Sequence, residues 1–140
     1  MPKKIRPLII TARRLYQLGA CDEQQLLFQK LFGERVSVTP ELVRKHGPKF
    51  DVWWLMGYML SNDEYERISD EVLKANAKDD AALTALRQRW VYTKAGEYRA
   101  RPCWRKYDEL SEPIYRRMQR RTSRIAWREF INSPTRETTL

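Results

Sequence analysis

The segment 113–130 near the end of the chain, PIYRRMQRRTSRIAWREF, constrains the fold most, because its apolar and basic residues separate at helical spacing. At about 100° per residue, one side of the predicted helix carries apolar or small residues: Ile114, Tyr115, Met118, Thr122, Ile125 and Ala126. The other side is almost entirely arginine: Arg116, Arg117, Arg120, Arg121, Arg124 and Arg128. The spacing therefore predicts a long C-terminal helix with one buried side and one basic side.

Trp127 departs from this separation, because its angle places it on the basic side, between Arg116 and Arg120. Arginine pairs bidentately with phosphate, and an indole ring can stack on a nucleic-acid base. A row of guanidinium groups around one aromatic ring therefore predicts a polyanionic partner, above all nucleic acid, either DNA or RNA. Four basic residues that precede the helix extend the predicted binding site: Arg99, Arg101, Arg105 and Lys106.

The net charge of +9 is concentrated in two parts of the chain. Residues 98–128 hold ten Lys/Arg and three Asp/Glu, and residues 1–14 hold five basic residues and no acidic one. The stretch between them is nearly neutral, with eleven basic and thirteen acidic residues. Basic clusters of this density are typical of nucleic-acid-binding proteins. The alternative is that the arginines pair within the fold with the acidic residues of segment 63–71, although the acids within 98–128 are too few to neutralise them.

The composition is that of a globular domain, with 42% hydrophobic and 32% charged residues in a chain of 140. We expect a single helical domain over residues 11–131, preceded by a basic arm over 1–10 and followed by a polar tail over 132–140. No apolar run approaches the ~18 residues that cross a bilayer, and the apolar stretch near the N-terminus is too short for a secretory signal. These features predict a cytoplasmic protein without a membrane partner.

Helix-start signals recur along the first half of the chain. Asp22, Thr39 and Asp51 each precede an apolar helical pattern, which predicts three short helices between residues 19 and 60. Nine apolar side chains within residues 50–60 predict a central buried helix. Two further amphipathic helices are predicted over 63–77 and 79–90.

Helical spacing ends at Trp90. The segment 90–100, WVYTKAGEYRA, is rich in β-branched and aromatic residues around a turn at 94–97, which predicts a small β-hairpin. The final helix is expected to begin after a cap at Ser111, with Pro113 in its first turn. The fold class is therefore predicted to be mainly α: a compact multi-helix domain with a small hairpin near 90–100 and a long basic C-terminal helix.

The sequence offers no catalytic constellation. His46 is the only histidine and lies at the end of a predicted short helix, without a nucleophile beside it, so a helix-capping role is expected. Cys21 and Cys103 lack metal-ligand or redox spacing and are expected to be reduced core residues. No phosphate-binding glycine loop is present. We therefore expect a protein without enzymatic activity, cofactor, metal or small-molecule substrate.

The segment 19–60 contains a pattern made of an Ala-Cys pair, a helical phenylalanine, a Phe-Gly pair, Val-x-Val-Thr and Asp-x-x-Trp. Its positions are Ala20, Cys21, Phe28, Phe32, Gly33, Val36, Val38, Thr39, Asp51 and Trp54. This pattern resembles a short segment of bacteriophage-encoded proteins. The resemblance implies a small phage protein that acts in the cytoplasm of a bacterial host, on nucleic acid, on the transcription or replication machinery, or on a defence complex. It implies no catalytic residues, because that segment has no assigned activity.

Three hypotheses for the function follow from these features. The first is a non-enzymatic protein that binds nucleic acid through the arginine-rich helix. The second is a phage inhibitor that meets the acidic surface of a host protein or nucleoprotein defence complex, such as a CRISPR effector, with the same arginines. The third is a structural or assembly protein whose aromatic residues support oligomerisation.

Overall fold

The computed structural model describes residues 7–133, so the first six residues of the predicted arm and the tail from residue 134 lie outside the described residues. Of the structure, 73% is helical, which confirms the mainly α class. The chain divides into two compact units. Unit 1 comprises the described residues 7–69 and 123–133, and unit 2 comprises residues 70–122.

Unit 1 combines a two-stranded sheet with short helices. Its elements in chain order are β1 (Leu8–Thr11), α1 (Ala12–Gln17), α2 (Asp22–Phe32), β2 (Arg35–Val38), α3 (Pro40–His46), a 3₁₀ turn (Gly47–Lys49), α4 (Val52–Met59), the start of α5 (Asn62–Trp90) and the end of α6 (Trp104–Asn132). The strands pair antiparallel, with Leu8 opposite Val38 and Thr11 opposite Arg35. Residues 8–10, which the sequence assigned to the arm, therefore belong to a strand, and Leu8 is fully buried.

Local side-chain bonds explain where the short helices of unit 1 begin. The hydroxyl of Thr39 accepts a hydrogen bond from the backbone N–H of Leu42 at 3.2 Å, and the carboxylate of Asp51 accepts one from Trp54 at 3.1 Å. Both predicted caps are confirmed. At α2 the cap position is Cys21 instead, and Asp22 is the first helical residue.

The core of unit 1 is apolar and centres on α4, as the hydrophobic run predicted. Val52, Leu55, Met56 and Met59 are buried. Side chains from β1, α2, α5 and α6 complete this core, among them Leu8, Phe28, Ile68, Ala126 and Phe130. Burial of this surface supplies the main driving force for folding of the unit.

In unit 2, α5 and α6 are joined by the loop 91–103 and run antiparallel, because Asn76 contacts Thr122 while Arg87, farther along α5, contacts Tyr115. Helix α5 is one continuous helix, so the predicted start of a new helix at residue 79 is wrong. Asp79 does not cap a helix there. It lies buried in the middle of α5, where arginine side chains satisfy its carboxylate.

The predicted hairpin near 90–100 is reduced to a turn with one antiparallel bridge, between Tyr92 and Tyr98. Thr93 N–H donates to the Glu97 carbonyl at 2.7 Å, and Gly96 adopts a positive φ of 82° in the turn. The two-stranded sheet of the fold is the β1–β2 pair.

Helix α6 begins at Trp104, well before the predicted cap at Ser111, and Pro113 lies inside it. Two contacts explain the early start. Cys103 N–H donates to the Trp90 carbonyl at 2.7 Å, and the side chain of Tyr107 is buried one turn into the helix. Tyr107 is surrounded in the sequence by charged residues between 105 and 112, so its burial was not predicted.

Two further expectations concern exposure and membrane contact. Cys21 and Cys103 are free, as expected, but both are exposed, so their predicted burial is wrong.

No helix within residues 7–133 combines the length and apolar character needed to cross a bilayer.

Candidate nucleic-acid interface

The inner side of α6 in unit 2 carries a polar network around the buried carboxylate of Asp79. Arg117 donates to it through Nη2 at 2.6 Å and Nε at 3.2 Å, and Arg121 donates through Nη1 at 2.7 Å. Arg121 Nη1 also donates to the Asn76 Oδ1 at 3.0 Å, and Asn76 Nδ2 donates to the Thr122 hydroxyl at 2.9 Å. Every strong polar group in this network has a partner, which is the condition for tolerating a buried charge.

This network pairs two of the six predicted arginines with a single carboxylate. Hydrogen bonds from Arg117, then from Arg121, hold the pKa of the Asp79 carboxyl far below its ordinary value, and the Asp79 bond raises the pKa of Arg117. Of the six predicted arginines, Arg117 and Arg121 therefore have an ion-pair partner within the fold, although half of the Arg117 side chain is exposed. The partner acid is Asp79, which lies outside the 63–71 segment that the sequence suggested.

The outer side of α6 in unit 2 is different. Arg105, Arg116 and Arg120 fall within about 60° of one another on the helix, and all three are exposed. Arg116 forms an exposed ion pair with Glu112, one turn earlier, and such pairs contribute little to stability. Among the described residues, Arg105 and Arg120 form no ion pair. The outer side therefore has exposed arginines without a carboxylate partner, whereas both inner arginines are bonded to Asp79.

The loop before α6 adds two exposed arginines with unequal roles. Arg99 donates through Nε to the Gln88 carbonyl at 2.8 Å, so its guanidinium group satisfies a carbonyl in the last turn of α5. Arg101 is exposed, and no hydrogen bond or ion pair involves its side chain in the described part of the chain. Lys106 lies 4.0 Å from Glu109, at the limit of an exposed ion pair. Arg101 is thus the most available cation of this group.

Unit 2 also contains an aromatic cluster. Tyr92 and Tyr98 have ring centroids 4.8 Å apart, and Trp104 meets Tyr92 edge-to-face at 5.9 Å and Tyr107 at 5.8 Å. Tyr98 remains 63% exposed and Trp104 43% exposed. Each is adjacent in sequence to an arginine of the predicted site, Arg99 or Arg105, although Trp104 projects about 100–160° around α6 from Arg105 and Arg120.

Two tyrosines of α6, Tyr107, which is buried, and Tyr115, which is 39% exposed, bond to α5. Arg87 donates to the hydroxyl groups of Tyr107 and Tyr115, both at 3.1 Å, and these two hydroxyl oxygens lie 2.9 Å apart. The bonds to Tyr115 and Tyr107 raise the pKa of Arg87, and burial raises the pKa of Tyr107. Arg87 therefore has a structural role, which keeps the aromatic cluster in place.

The prediction that Trp127 lies exposed on the basic side of α6 is wrong. Its side chain is 4% exposed in unit 1, where Nε1 donates to the Gly47 carbonyl at 3.0 Å. The helical angle was right, but the last turns of α6 are buried over a wider arc than the turns in unit 2, and the 3₁₀ turn covers the side from which Trp127 projects. The predicted base-stacking role of Trp127 is therefore incompatible with its position.

The two remaining arginines of the predicted row lie in unit 1. Arg124 is exposed, with no ion pair in the portion of the chain described. Arg128 is 3.5 Å from the carboxylate of Glu129, which also receives a 3.1 Å bond from Arg67. These two cations are accessible, but we assign the interface to the residues of unit 2.

The only histidine ends α3, as the sequence suggested, and its Nδ1 lies 3.2 Å from Lys49 Nζ. Partial burial, then the positive charges of Lys49 and Lys45, lower its pKa. Within residues 7–133, no group of three or more His, Cys, Asp or Glu side chains is arranged to hold a metal ion.

Sequence reasoning missed three residues of unit 2: the exposed rings of Tyr98 and Trp104, and the buried Asp79 that pairs with two of the arginines. The aromatic residues were visible as a signal, because segment 98–107 alternates aromatic and basic side chains in YRARPCWRKY. Asp79 gave no such signal, since its partners lie about 40 residues away in sequence. Comparisons with protein-family models, curated proteins and solved structures find no match to this chain.

Proposed function

We propose that the protein is a non-enzymatic nucleic-acid-binding protein and that its contact surface lies in unit 2. The proposal is supported above all by the exposed arginines Arg101, Arg105 and Arg120, which lack carboxylate partners in the described structure and belong to the same unit as the exposed rings of Tyr98 and Trp104. Unit 2 as a whole holds thirteen Lys/Arg and eight Asp/Glu, a net charge of +5. A positive surface with accessible aromatic rings suits a polyanion made of phosphates and bases.

In this proposal the arginines bind phosphate groups. Arg105 and Arg120 are fifteen residues apart on α6, so they are separated by about 22 Å along the helix axis. That spacing spans several nucleotides, and Arg116 lies between them with its charge shared with Glu112. Phosphate contacts of this kind produce affinity that falls with salt and little preference for sequence.

The exposed rings favour single-stranded nucleic acid. Bases in a duplex are stacked on one another, whereas bases of a single strand can stack on aromatic side chains, at about 1–3 kcal/mol per base. Trp104 supplies the larger exposed indole ring, and Tyr98 a second ring in the same cluster. Glu109 and Glu112 on the outer side of α6 disfavour the close, continuous phosphate track that a duplex presents.

The resemblance of segment 19–60 to bacteriophage segments supports a phage origin and the cytoplasm of a bacterial cell as the place of action. There the partner would be a phage or host nucleic acid. An acidic surface of a host protein or nucleoprotein defence complex is the rival partner for the same arginines. A pull-down from bacterial lysate, with and without nuclease, distinguishes them, because nuclease removes a nucleic-acid partner and leaves a protein partner bound.

The direct test is fluorescence anisotropy with a labelled single-stranded oligonucleotide and a duplex of equal length. We expect single-stranded binding that weakens on the order of 10- to 100-fold in the double variant Arg105→Glu/Arg120→Glu. The matched control is Arg35→Glu/Arg44→Glu, which reverses two exposed arginines of unit 1 and should change the affinity less than about threefold. Absence of binding by the unaltered protein at low salt would contradict the proposal.

A further inference from the structure

Unit 1 contains a half-open cavity of about 520 Å³, bounded by α1, α2, β2, α3 and α4. This volume lies within the range of about 300–1,000 Å³ that is usual for small-molecule sites. Its wall is largely apolar, and many of its side chains are only half-buried although they belong to the edge of the core: Phe32, Val36, Val38, Val43, Phe50 and Trp54. A ligand that filled the cavity would remove this apolar surface from water, at about 25 cal/mol per Å².

The aromatic rings of the wall are arranged around Phe32. Its ring centroid lies 5.3 Å from that of Phe28 and 6.0 Å from that of Phe50, and it meets the His46 ring edge-to-face at 5.6 Å. Offset and edge-to-face geometries at these distances are the ones that a further aromatic ring can extend. A flat apolar body therefore suits the wall better than a compact polar one.

The polar groups of the wall make one part of its edge positive. His46 lines the cavity, and Lys49 Nζ lies 3.2 Å from its ring. The side-chain amide of Gln24, another wall residue, donates to the Lys49 carbonyl at 3.0 Å and so fixes the backbone that carries this lysine. Partial burial, then the positive charges of Lys49 and Lys45, lower the pKa of His46.

Asp51 is the one acidic residue of the wall. Its carboxylate accepts the Trp54 backbone N–H at 3.1 Å and is thereby directed to the positive N-terminal end of α4. Beside His46, the charged group that the structure shows is the Lys49 ammonium, 3.2 Å from the His46 ring and outside the wall itself. An anionic group is the complementary one.

We propose that this cavity binds a small amphipathic anion, with a flat aromatic body among Phe28, Phe32 and Phe50 and a carboxylate or similar acidic group beside His46 and Lys49. The sequence predicted no small-molecule substrate, and this site is one of binding rather than reaction. It uses residues of unit 1 alone and is independent of the nucleic-acid proposal.

The test uses two fluorescent probes that share one aromatic body. Anilinonaphthalene sulfonate carries an acidic group, and N-phenylnaphthylamine lacks it. We expect the sulfonate to bind with one site per chain, to raise the Tm, and to bind more tightly than the neutral probe. Lys49→Glu should weaken sulfonate binding about tenfold and leave the neutral probe within about twofold, because it reverses the charge beside His46 and leaves the apolar wall unchanged. Lys30→Glu, at an exposed lysine outside the wall, is the control and should change neither.

A cavity-filling variant tests the location. Ala20 is a half-buried wall residue, and Ala20→Phe should abolish binding of both probes. If this variant unfolds, as its melting curve would show, Cys21→Phe at an exposed wall position replaces it. The proposal is overturned if both folded variants bind the probes like the unaltered protein, if the neutral probe binds more tightly than the sulfonate, or if light scattering shows that the sulfonate dissociates a dimer, since a second copy would then be the occupant.

Discussion

Helix α6 carries a tryptophan near each end, and the two lie in opposite environments. Trp104 in unit 2 is 43% exposed and belongs to an aromatic cluster, whereas Trp127 in unit 1 is 4% exposed and bonded to the Gly47 carbonyl. A helical wheel assigns one environment to each angle over the whole length of a helix. In α6 the elements that cover the helix change along its length, so an angle that is exposed at Arg116 is buried at Trp127.

The arginines of α6 show the same contrast between neighbours. Arg120 is exposed and, among the residues described, without an ion pair, while Arg121 is bonded to Asp79 and Asn76. The charge available to a partner therefore depends on which arginines have a buried acid opposite them and cannot be counted from the sequence. The following predictions test this comparison, in order of decreasing effect.

The largest effect is expected from the two tryptophans. Trp127→Ala should reduce the free energy of unfolding by about 3–5 kcal/mol, because it leaves a cavity in the core of unit 1 and an unpaired Gly47 carbonyl. Trp104→Ala should cost about 1 kcal/mol or less, since much of that ring is already in water. Urea denaturation followed by circular dichroism measures both. Equal losses would break the contrast between the two ends of the helix.

The second prediction concerns the acid that neutralises the inner arginines. Asp79→Asn should lower the Tm by roughly 5–10 °C, because Arg117 and Arg121 lose the charge of a nearly buried carboxylate that joins α6 to α5. Asp80→Asn is the matched control, since Asp80 is adjacent and exposed, and should shift the Tm by no more than about 2 °C. Thermal unfolding measures the Tm of both variants. A similar small change in Tm for each would mean that the Asp79 network does not stabilise unit 2.

A smaller effect is expected from pH. Because Arg117 and Arg121 lower the pKa of Asp79 in the folded state, this carboxylate contributes stability that is fully present above its unfolded pKa of about 3.9 and is lost as the pH falls through the folded value. The stability difference between the unaltered protein and Asp79→Asn should therefore be constant from about pH 7 to pH 5 and narrow below about pH 4. Urea titrations at pH 7, 5 and 3 measure this difference in the free energy of unfolding. A difference that increases at pH 3 would contradict the prediction.

Local features of the fold could be predicted from the sequence because their causes are local. Thr39 and Asp51 cap helices through bonds to residues three positions on, and the apolar run of α4 marks the core by composition alone. The mainly α class followed from the same signals. The predicted start of α6 was wrong, because proline is common in the first turn of a helix, whereas Pro113 lies inside this one.

Long-range features could not be predicted in this way. The burial of Trp127 depends on Gly47, eighty residues earlier, and the neutralisation of Arg121 depends on Asp79. The cavity of unit 1 also emerges only in three dimensions, although eight of the ten residues in the phage-like pattern line it. Most residues of that pattern therefore belong to the cavity wall. The sequence alone could not distinguish apolar residues of a cavity wall from apolar residues of the core.

The most direct test of the account is the salt dependence of single-stranded oligonucleotide binding for Arg120→Gln and Arg121→Gln. The logarithm of the association constant is measured against the logarithm of the salt concentration by fluorescence anisotropy. The account predicts that Arg120→Gln reduces the slope by about 0.7, the value for one single-strand phosphate contact, and that Arg121→Gln leaves it unchanged. Equal reductions for both variants, or a slope that Arg120→Gln does not change, would contradict it.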